Sequence, residues 1–314
     1  MNTFKYQGEE NVSDLMITGG SGFVGSNLAR YFTSKKKTTI SYFQSSIPKN
    51  LLGMTDSVYL DIRDADEVLK VIEKKMPKVV IHVAGNKNVS FCEKYPEEAY
   101  QTNALGTKNV ATACKKFDAR MIYISTDLVF SCTDGFYKEN DQPNPSLVYG
   151  KTKLQGEEFI LNELDNAAIC RSGGIYGTGS PLLDWLSSEL TQGRTVQCFT
   201  DVFNTPTYTD NLAEMIEVII ENNLSGIFHT VGREKVNRFQ FFNYYASMFN
   251  LNVKLLAPAQ AGIGRERMLL QSDSSLSIEQ TANRLVGVSF NSVQEGFSRL
   301  KVVGDVSCKD FQLI

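Results

Sequence analysis

The 314-residue chain holds two histidines, one tryptophan and six cysteines (Cys92, Cys114, Cys132, Cys170, Cys198 and Cys308). None of the cysteines has C-x-x-C spacing, and two histidines are too few for a Cys/His ligand set, so neither a structural zinc site nor a disulfide framework is expected. A reduced, cytoplasmic compartment follows as the expectation. No apolar run approaches the ~18 residues of a membrane helix, and residues 1–11, a polar lead-in carrying Glu9 and Glu10, lack the apolar centre of a signal peptide. Neither sign of charge dominates. With 32 basic and 35 acidic side chains the net charge is -3, which gives no electrostatic case for nucleic acid or an anionic membrane as partner. The one basic run, Lys35-Lys36-Lys37, follows a predicted helix and complements its dipole.

What is present is an ordinary globular composition, 42% hydrophobic and 21% charged, enough for one large domain with an appended lobe. Leu15-Met16-Ile17-Thr18 is a short apolar run that breaks into Gly19-Gly20-Ser21-Gly22-Phe23-Val24-Gly25, and a helical pattern (Leu28, Ala29, Tyr31, Phe32) follows. Strand, glycine turn and helix in succession form the context in which closely spaced glycines bind a dinucleotide. The spacing is G-x-x-G-x-x-G. Its glycines permit a tight turn, close approach of backbone to a diphosphate, and close helix-to-strand packing, with the helix N-terminus facing the anion.

Strands and helices then alternate, as in a parallel sheet covered on both faces. Strands are predicted at Thr38–Phe43, Ser57–Leu60, Lys78–Val83, Arg120–Ser125 and Ala167–Cys170, with helices at Ala65–Lys75, Pro96–Phe117 and Tyr149–Glu163. The fold class is therefore α/β, a Rossmann-type doubly wound parallel sheet over residues 1–171. Residues 172–314 read as a smaller mixed lobe, of which about 207–230 packs back on the sheet domain. Its predicted helices are Leu182–Leu190, Asp210–Asn222, Arg238–Phe249, Ile278–Leu285 and Ser292–Leu300. The lobe is placed over the carboxyl ends of the strands, where open α/β sheets bind ligands.

Tyr149 and Lys153 stand four residues apart on one predicted helix face, so an ammonium can act on a phenol that ordinarily titrates near ~10. Such a pair is a candidate proton donor. Ser125-Thr126-Asp127 ends a strand upstream, so Thr126, Tyr149 and Lys153 are expected to converge. His82 and His229 fall in predicted buried strands and read as structural. Trp185 is either a stacking surface or core.

Together with Gly19, Gly22 and Gly25, the Thr126, Tyr149 and Lys153 set resembles the extended short-chain dehydrogenase/reductase superfamily. Three blocks are similar to its dTDP-4-dehydrorhamnose reductase branch: Tyr123 to Phe130 (YISTDLVF), Leu147 to Glu157 (LVYGKTKLQGE) and Thr205 to Ala213 (TPTYTDNLA). The close, Val288-Ser289-Phe290 followed by Gln294 to Phe297, resembles the branch's C-terminal helix entry. The resemblance implies reduction of the C4 ketone of a sugar nucleotide, with hydride from a nicotinamide and the proton from Tyr149. Lys153 would lower the Tyr149 pKa and bind the nicotinamide ribose, and Thr126 would donate to the substrate carbonyl. Gly19, Ser21, Gly22, Phe23, Val24 and Gly25 would cradle the cofactor diphosphate. Asp61 and Ile62 would meet the adenine, and Val83, Ala84 and Gly85 would run beneath the cofactor. Asn103 matches a helix asparagine with a structural or proton-relay role.

NAD enzymes of this architecture place an acidic residue at the end of the second strand, whereas this chain reads Ser41-Tyr42-Phe43-Gln44-Ser45-Ser46. NADP(H) is therefore favoured, with Ser45, Ser46 or Lys49 near the 2′-phosphate and no arginine in that stretch; NAD(H) stays open. Leu128 follows Asp127 where the related 4,6-dehydratases carry Glu and the GDP-fucose synthase branch carries Cys, which disfavours both. Cys132 stands where the branch has Asp or Gly, so the loop to Asp141 is expected to differ. Two alternatives accompany the reductase reading: an NDP-sugar epimerase, and a non-catalytic NADP-binding subunit similar to the relatives that bind methionine adenosyltransferase. Members of the superfamily pair through the helices at Pro96–Phe117 and Tyr149–Glu163, which implies a homodimer. Some members of the branch use Mg²⁺ at that interface, but no acidic cluster here is assigned to it.

Overall fold

A computed structural model describes residues 13–262 and 271–310, with side chains to Val303; the lead-in and the thiol of Cys308 lie outside the described residues. Seven parallel strands form the central sheet: β1 (Leu15–Thr18), β2 (Thr38–Tyr42), β3 (Asp56–Tyr59), β4 (Val79–His82), β5 (Arg120–Thr126), β6 (Ala168–Ser172) and, after two short lobe strands, β9 (Gly226–His229). The order is β3-β2-β1-β4-β5-β6-β9, so the chain reverses its direction of winding between β1 and β4. Ligands of doubly wound sheets bind at such a switch point. β1 and β5 are buried along their whole length, as unbroken apolar runs require when helices cover both faces.

Helices α1 (Phe23–Thr33) and α8 (Thr209–Glu221) cover one face, where Leu28, Phe32, Leu212 and Ile216 pack on Ile17, Ile40 and Ile124. The other face is covered by α2 (Ala65–Lys75), α5 (Gly106–Lys116) and α6 (Val148–Glu163), through Val68, Ile72, Val110 and Ile160. Thus α8 and β9, which follow residue 172, belong to the layers of the sheet. A third core lies in the lobe, where Tyr176, Leu186, Phe241, Tyr245 and Phe297 pack together. It unites α7 (Pro181–Thr191), α9 (Arg238–Met248) and the final helix, Val293–Asp310, with two ribbons: β7 (Val196–Phe199) pairs with β11 (Leu256–Ala259), and β8 (Phe203–Asn204) with β10 (Val236–Asn237).

The predicted helix over Pro96–Phe117 is interrupted. After α4 (Pro96–Tyr100) the chain widens into a π turn over Gln101–Leu105, closed by the bond from Gly106 N–H to Gln101 O, before α5 begins. The wide turn sets the side chain of Asn103 against the Asn86 backbone. Asn103 Oδ1 accepts from Asn86 N–H at 2.7 Å and its Nδ2 donates to Asn86 O at 3.0 Å, so the turn clamps the loop after β4. A short helix, α3 (Val89–Lys94), follows that loop without having been predicted, capped by Asn88, which accepts from Phe91 N–H at 3.0 Å.

Beneath the site, Glu157 of α6 meets Arg171 of β6. Arg171 Nη2 lies 2.7 Å from Glu157 Oε2 and its Nε donates at 3.1 Å to Oε1, both side chains being 2% exposed. Ser125 of β5 donates to the same carboxylate. Breaking such a pair by removing one partner strands the other charge. Arg171→Met is therefore expected to lower the unfolding free energy by about 3–5 kcal/mol, and pairing it with Glu157→Leu to recover most of that loss, both read from urea denaturation.

Candidate active site

A cleft of about 820 Å³ opens along the carboxyl ends of the strands. Its floor starts at the glycine turn. Gly19 has φ +68°, and a Cβ there would stand 2.8 Å from the Ala84 Cα, while a Cβ on Gly25 would strike the Gly19 carbonyl. Neither position accepts a larger residue, and the result is that α1 begins directly under the cleft. No side chain caps its N-cap, Gly22, and its first turn carries no acidic residue. Uncapped N–H groups at a helix N-terminus beside glycine backbone suit a diphosphate, so the chain fits the dinucleotide expected of it.

The residues singled out from sequence gather in this one cleft. Gly19, Ser21, Gly22, Phe23, Val24 and Gly25 line one end; Ser45, Asp61 and Ile62 line the wall beyond β2 and β3; and Val83, Ala84, Gly85 and Asn103 lie behind the loop after β4. Thr126, Tyr149 and Lys153 line the opposite side. Ser46 and Lys49 are outside this lining. In their place Arg63, arriving from β3, stands 5.2 Å from the Phe43 ring and pairs with Asp61, its Nη2 2.6 Å from Oδ2. The stretch after β2 contains no arginine, yet the wall it builds does. Lys87, Ser172, Gly174 and Ile175 also line the cleft and carried no sequence signal.

The catalytic candidates differ from expectation in one respect. Lys153, at 6% exposure, donates to the Ile124 carbonyl at 2.7 Å and lies 4.0 Å over the Tyr123 ring, so it is turned to the strand. Burial pulls its ammonium down to about 7, with Glu157 opposing. Burial and the neighbouring Asp127 carboxyl hold the Tyr149 phenol above its ordinary range, and only the nearby Thr126 hydroxyl works the other way. Lys153 is not among the groups that shift Tyr149 here, its ammonium being directed to the Ile124 carbonyl. Thr126 Oγ1 is likewise engaged: it donates to Asp127 Oδ1 at 3.0 Å and accepts from Leu128 N–H at 3.2 Å.

Asp127 is 6% exposed and its second oxygen accepts from Ser274 Oγ at 2.6 Å. Burial pushes its carboxyl up to about 6, against the hydrogen bonds from Ser274 and Thr126. Cys132 closes the same corner in a left-handed conformation, φ +59°, its carbonyl accepting from Asp273 N–H at 2.9 Å. Non-glycine residues adopt that region at a cost, except for Asn and Asp, which explains why Asp or Gly suits the position better.

His82 is fully buried and neutral, Nδ1 2.6 Å from Thr18 Oγ1 and Nε2 3.1 Å from Thr107 Oγ1. His229 is buried with Nδ1 2.9 Å from the Ser277 carbonyl. Trp185 lies on α7 against Phe242, outside the cleft lining. The five described cysteines are free and buried. Among the described residues no cluster of three or more His, Cys, Asp or Glu could hold a metal ion, and no helix is long and apolar enough to cross a membrane.

The model of the RmlD substrate-binding domain family matches residues 13–299. The chain belongs to this family. It is 30% identical over 232 residues to a probable low-salt glycan biosynthesis reductase, Agl14, of Haloferax volcanii, covering 72% of this chain and 76% of that one. It is 29% identical over 255 residues to methionine adenosyltransferase 2 subunit beta of Xenopus tropicalis, covering 77% and 74%. The crystal structure of Bacillus anthracis dTDP-4-dehydrorhamnose reductase with NADP superposes at a TM-score of 0.77 with 26% identity, over 92% of this chain and 98% of that one. The RmlD-family fold thus extends through the lobe as well as the sheet.

Asp127 gives a pH-dependent stability test. Its folded pKa is raised from 3.8 to about 6, so its contribution is fully present below the unfolded value and lost as pH rises through the folded one. Two units correspond to about 3 kcal/mol. Urea midpoints of wild type and Asp127→Asn measured at pH 4 and pH 8 should diverge in favour of the variant at the higher pH.

Proposed function

We propose that the protein reduces the C4 ketone of a nucleotide-linked deoxysugar, using NADPH in preference to NADH. The observation that carries this reading is the meeting of Thr126, Tyr149 and Lys153 on the wall of a cleft whose other end is an uncapped helix N-terminus behind glycine backbone. When bound, a nicotinamide dinucleotide supplies the hydride. The protein's share is the proton and the geometry. Tyr149 keeps its proton at neutral pH and gives it to the oxygen that becomes negative as the ketone is reduced. Thr126 lines the same wall as the phenol, Lys153 lies one helical turn beyond Tyr149 and would hold the nicotinamide ribose, and Asn103 holds the loop at Asn86 that forms the cleft's back wall. Likeness to a dTDP-4-dehydrorhamnose reductase and to a glycan biosynthesis reductase supports the choice of substrate class.

Arg63 supports NADPH. Its guanidinium stands at the wall beyond β2, where a 2′-phosphate would gain a charge-assisted bond that a 2′-hydroxyl gains less from. Arg63→Gln should raise KM for NADPH about tenfold relative to NADH, the equivalent of about 1.4 kcal/mol.

The likeness to methionine adenosyltransferase 2 subunit beta favours a second reading, a cofactor-binding partner subunit without turnover. Absorbance of NADPH in the presence of dTDP-4-dehydrorhamnose separates the two. Wild type should oxidise NADPH in step with substrate loss, and Tyr149→Phe should retain NADPH binding while its kcat falls about 10² or more. Turnover undiminished in the variant would exclude Tyr149 as the acid, and substrate consumed without net NADPH oxidation would favour an epimerase.

A further inference from the structure

We propose that Tyr123 is a positioning residue: its ring, braced by His82, keeps the Lys153 ammonium charged and held so that its remaining hydrogens serve a ligand in the cleft. The inference rests on the reading of Lys153 as the group that holds the nicotinamide ribose, and it names the side chain that equips Lys153 for that task.

A lysine inside a protein has lost most of the water that would stabilise its charge. Lys153 is 6% exposed, and its carboxylate neighbour, Glu157, is engaged by Arg171 and Ser125. The Ile124 carbonyl accepts one ammonium hydrogen at 2.7 Å. The other group against the charge is the Tyr123 ring, whose centroid lies 4.0 Å from Nζ. That distance is well inside the range of a cation–π contact, and such contacts are strongest where water is excluded.

An ammonium has three N–H donors. A π face attracts the charge without taking a hydrogen bond of ordinary strength. With one hydrogen given to Ile124, others are left for a ligand in the cleft that Lys153 lines. A carboxylate in place of the ring would stabilise the charge and occupy those hydrogens as well.

The ring is itself fixed. It stacks on His82 with centroids 5.5 Å apart and planes 16° from parallel. Both nitrogens of His82 are engaged, by Thr18 at 2.6 Å and Thr107 at 3.1 Å, and the imidazole is neutral, so it sets no like charge near the ammonium. Thr18 Oγ1 also receives the N–H groups of Val83 and Ala84, which ties the stack to the cleft floor. From the helix side, Gly156 shares a face with Lys153 three residues earlier, and a Cβ there would come within 2.6 Å of Tyr123 Oη. Its lack of a side chain lets α6 settle onto the ring. The Tyr123 hydroxyl is buried without a hydrogen-bond partner among the described residues, so the ring is the part in use.

The titratable groups around the ammonium are Glu157 and Tyr149 on its own helix, His82 on β4 and Tyr123 on β5; Asp127, at the end of β5, is engaged by Ser274 and Thr126. Burial favours the uncharged amine and the ring favours the ammonium. Removing the ring therefore lowers the pH at which Lys153 loses its proton. Loosened packing that admits water would raise it, so the sign separates the proposed role from a merely structural one.

The test uses the full-length protein with ¹³C-labelled lysine, the Lys153 Cε resonance being identified by its loss in Lys153→Met. Tyr123→Leu should move the titration midpoint of that resonance down by about one unit. It should also weaken NADPH binding about tenfold at pH 8, with urea denaturation confirming the fold. Tyr123→Met, of similar length and without a π face, repeats both measurements should the leucine variant not fold. Tyr123→Phe, which keeps the ring, should restore both to wild-type values. A midpoint unmoved or raised in the variants without a ring overturns the proposal, as does a loss in Tyr123→Phe equal to theirs. The predicted shifts without oxidation of NADPH by any 4-keto sugar nucleotide support the role of Tyr123 and contradict the reductase reading instead.

Discussion

The ion pair between Glu157 and Arg171 is the contact on which the site depends. One carboxylate in the interior receives Arg171 from β6 and Ser125 from β5, and it hangs from α6 one turn beyond Lys153. Three elements distant in the chain are thereby held in one orientation. Thr126 follows Ser125, Tyr149 and Lys153 precede Glu157 on the same helix, and Ser172 follows Arg171 into the cleft. A buried pair of this kind contributes little net stability compared with an apolar replacement. What it supplies here is registry: a helix slid by one turn would leave a buried charge unpaired.

Around that anchor the cleft is electrostatically divided. At the glycine turn it presents unopposed backbone donors and no acidic side chain in the first turn of α1. At the other end Asp127, Tyr149 and Lys153 are all moved by burial toward their neutral forms. The first end suits a diphosphate, and the second gathers groups that can exchange protons near neutral pH. Both follow from placing the site at the switch between β1 and β4, where strand ends and helix starts converge.

Much of this was legible in the sequence because the signals are local. A strand running into glycines and then a helix, and a Tyr and Lys four residues apart, need no knowledge of distant contacts. The alternation of elements likewise gave six of the seven central strands, with ends shifted by a residue or two, and the seventh was read as a buried strand about His229 without being placed in the sheet. What escaped depends on pairing across the chain. Arg63 joins the wall beyond β2 only because β3 lies beside β2 in the sheet, and Ser274 reaches Asp127 across 147 residues. The π turn at Gln101–Leu105 left no mark on the helical pattern, since one extra residue per turn is set by the clamp between Asn103 and Asn86. The direction in which Lys153 faces relative to Tyr149 escaped for a similar reason. Spacing puts them on one face, but the carbonyl of Ile124 decides where the ammonium points.

The central claim is that hydride reaches the sugar carbon while Tyr149 protonates the oxygen. It is tested most directly with NADPH deuterated at C4 of the nicotinamide, one face at a time, and dTDP-4-dehydrorhamnose, followed by NMR of the sugar product. The account predicts that one of the two deuterated forms places a single deuterium at sugar C4, one for each NADPH consumed. A product that forms without deuterium at C4 from either would contradict it.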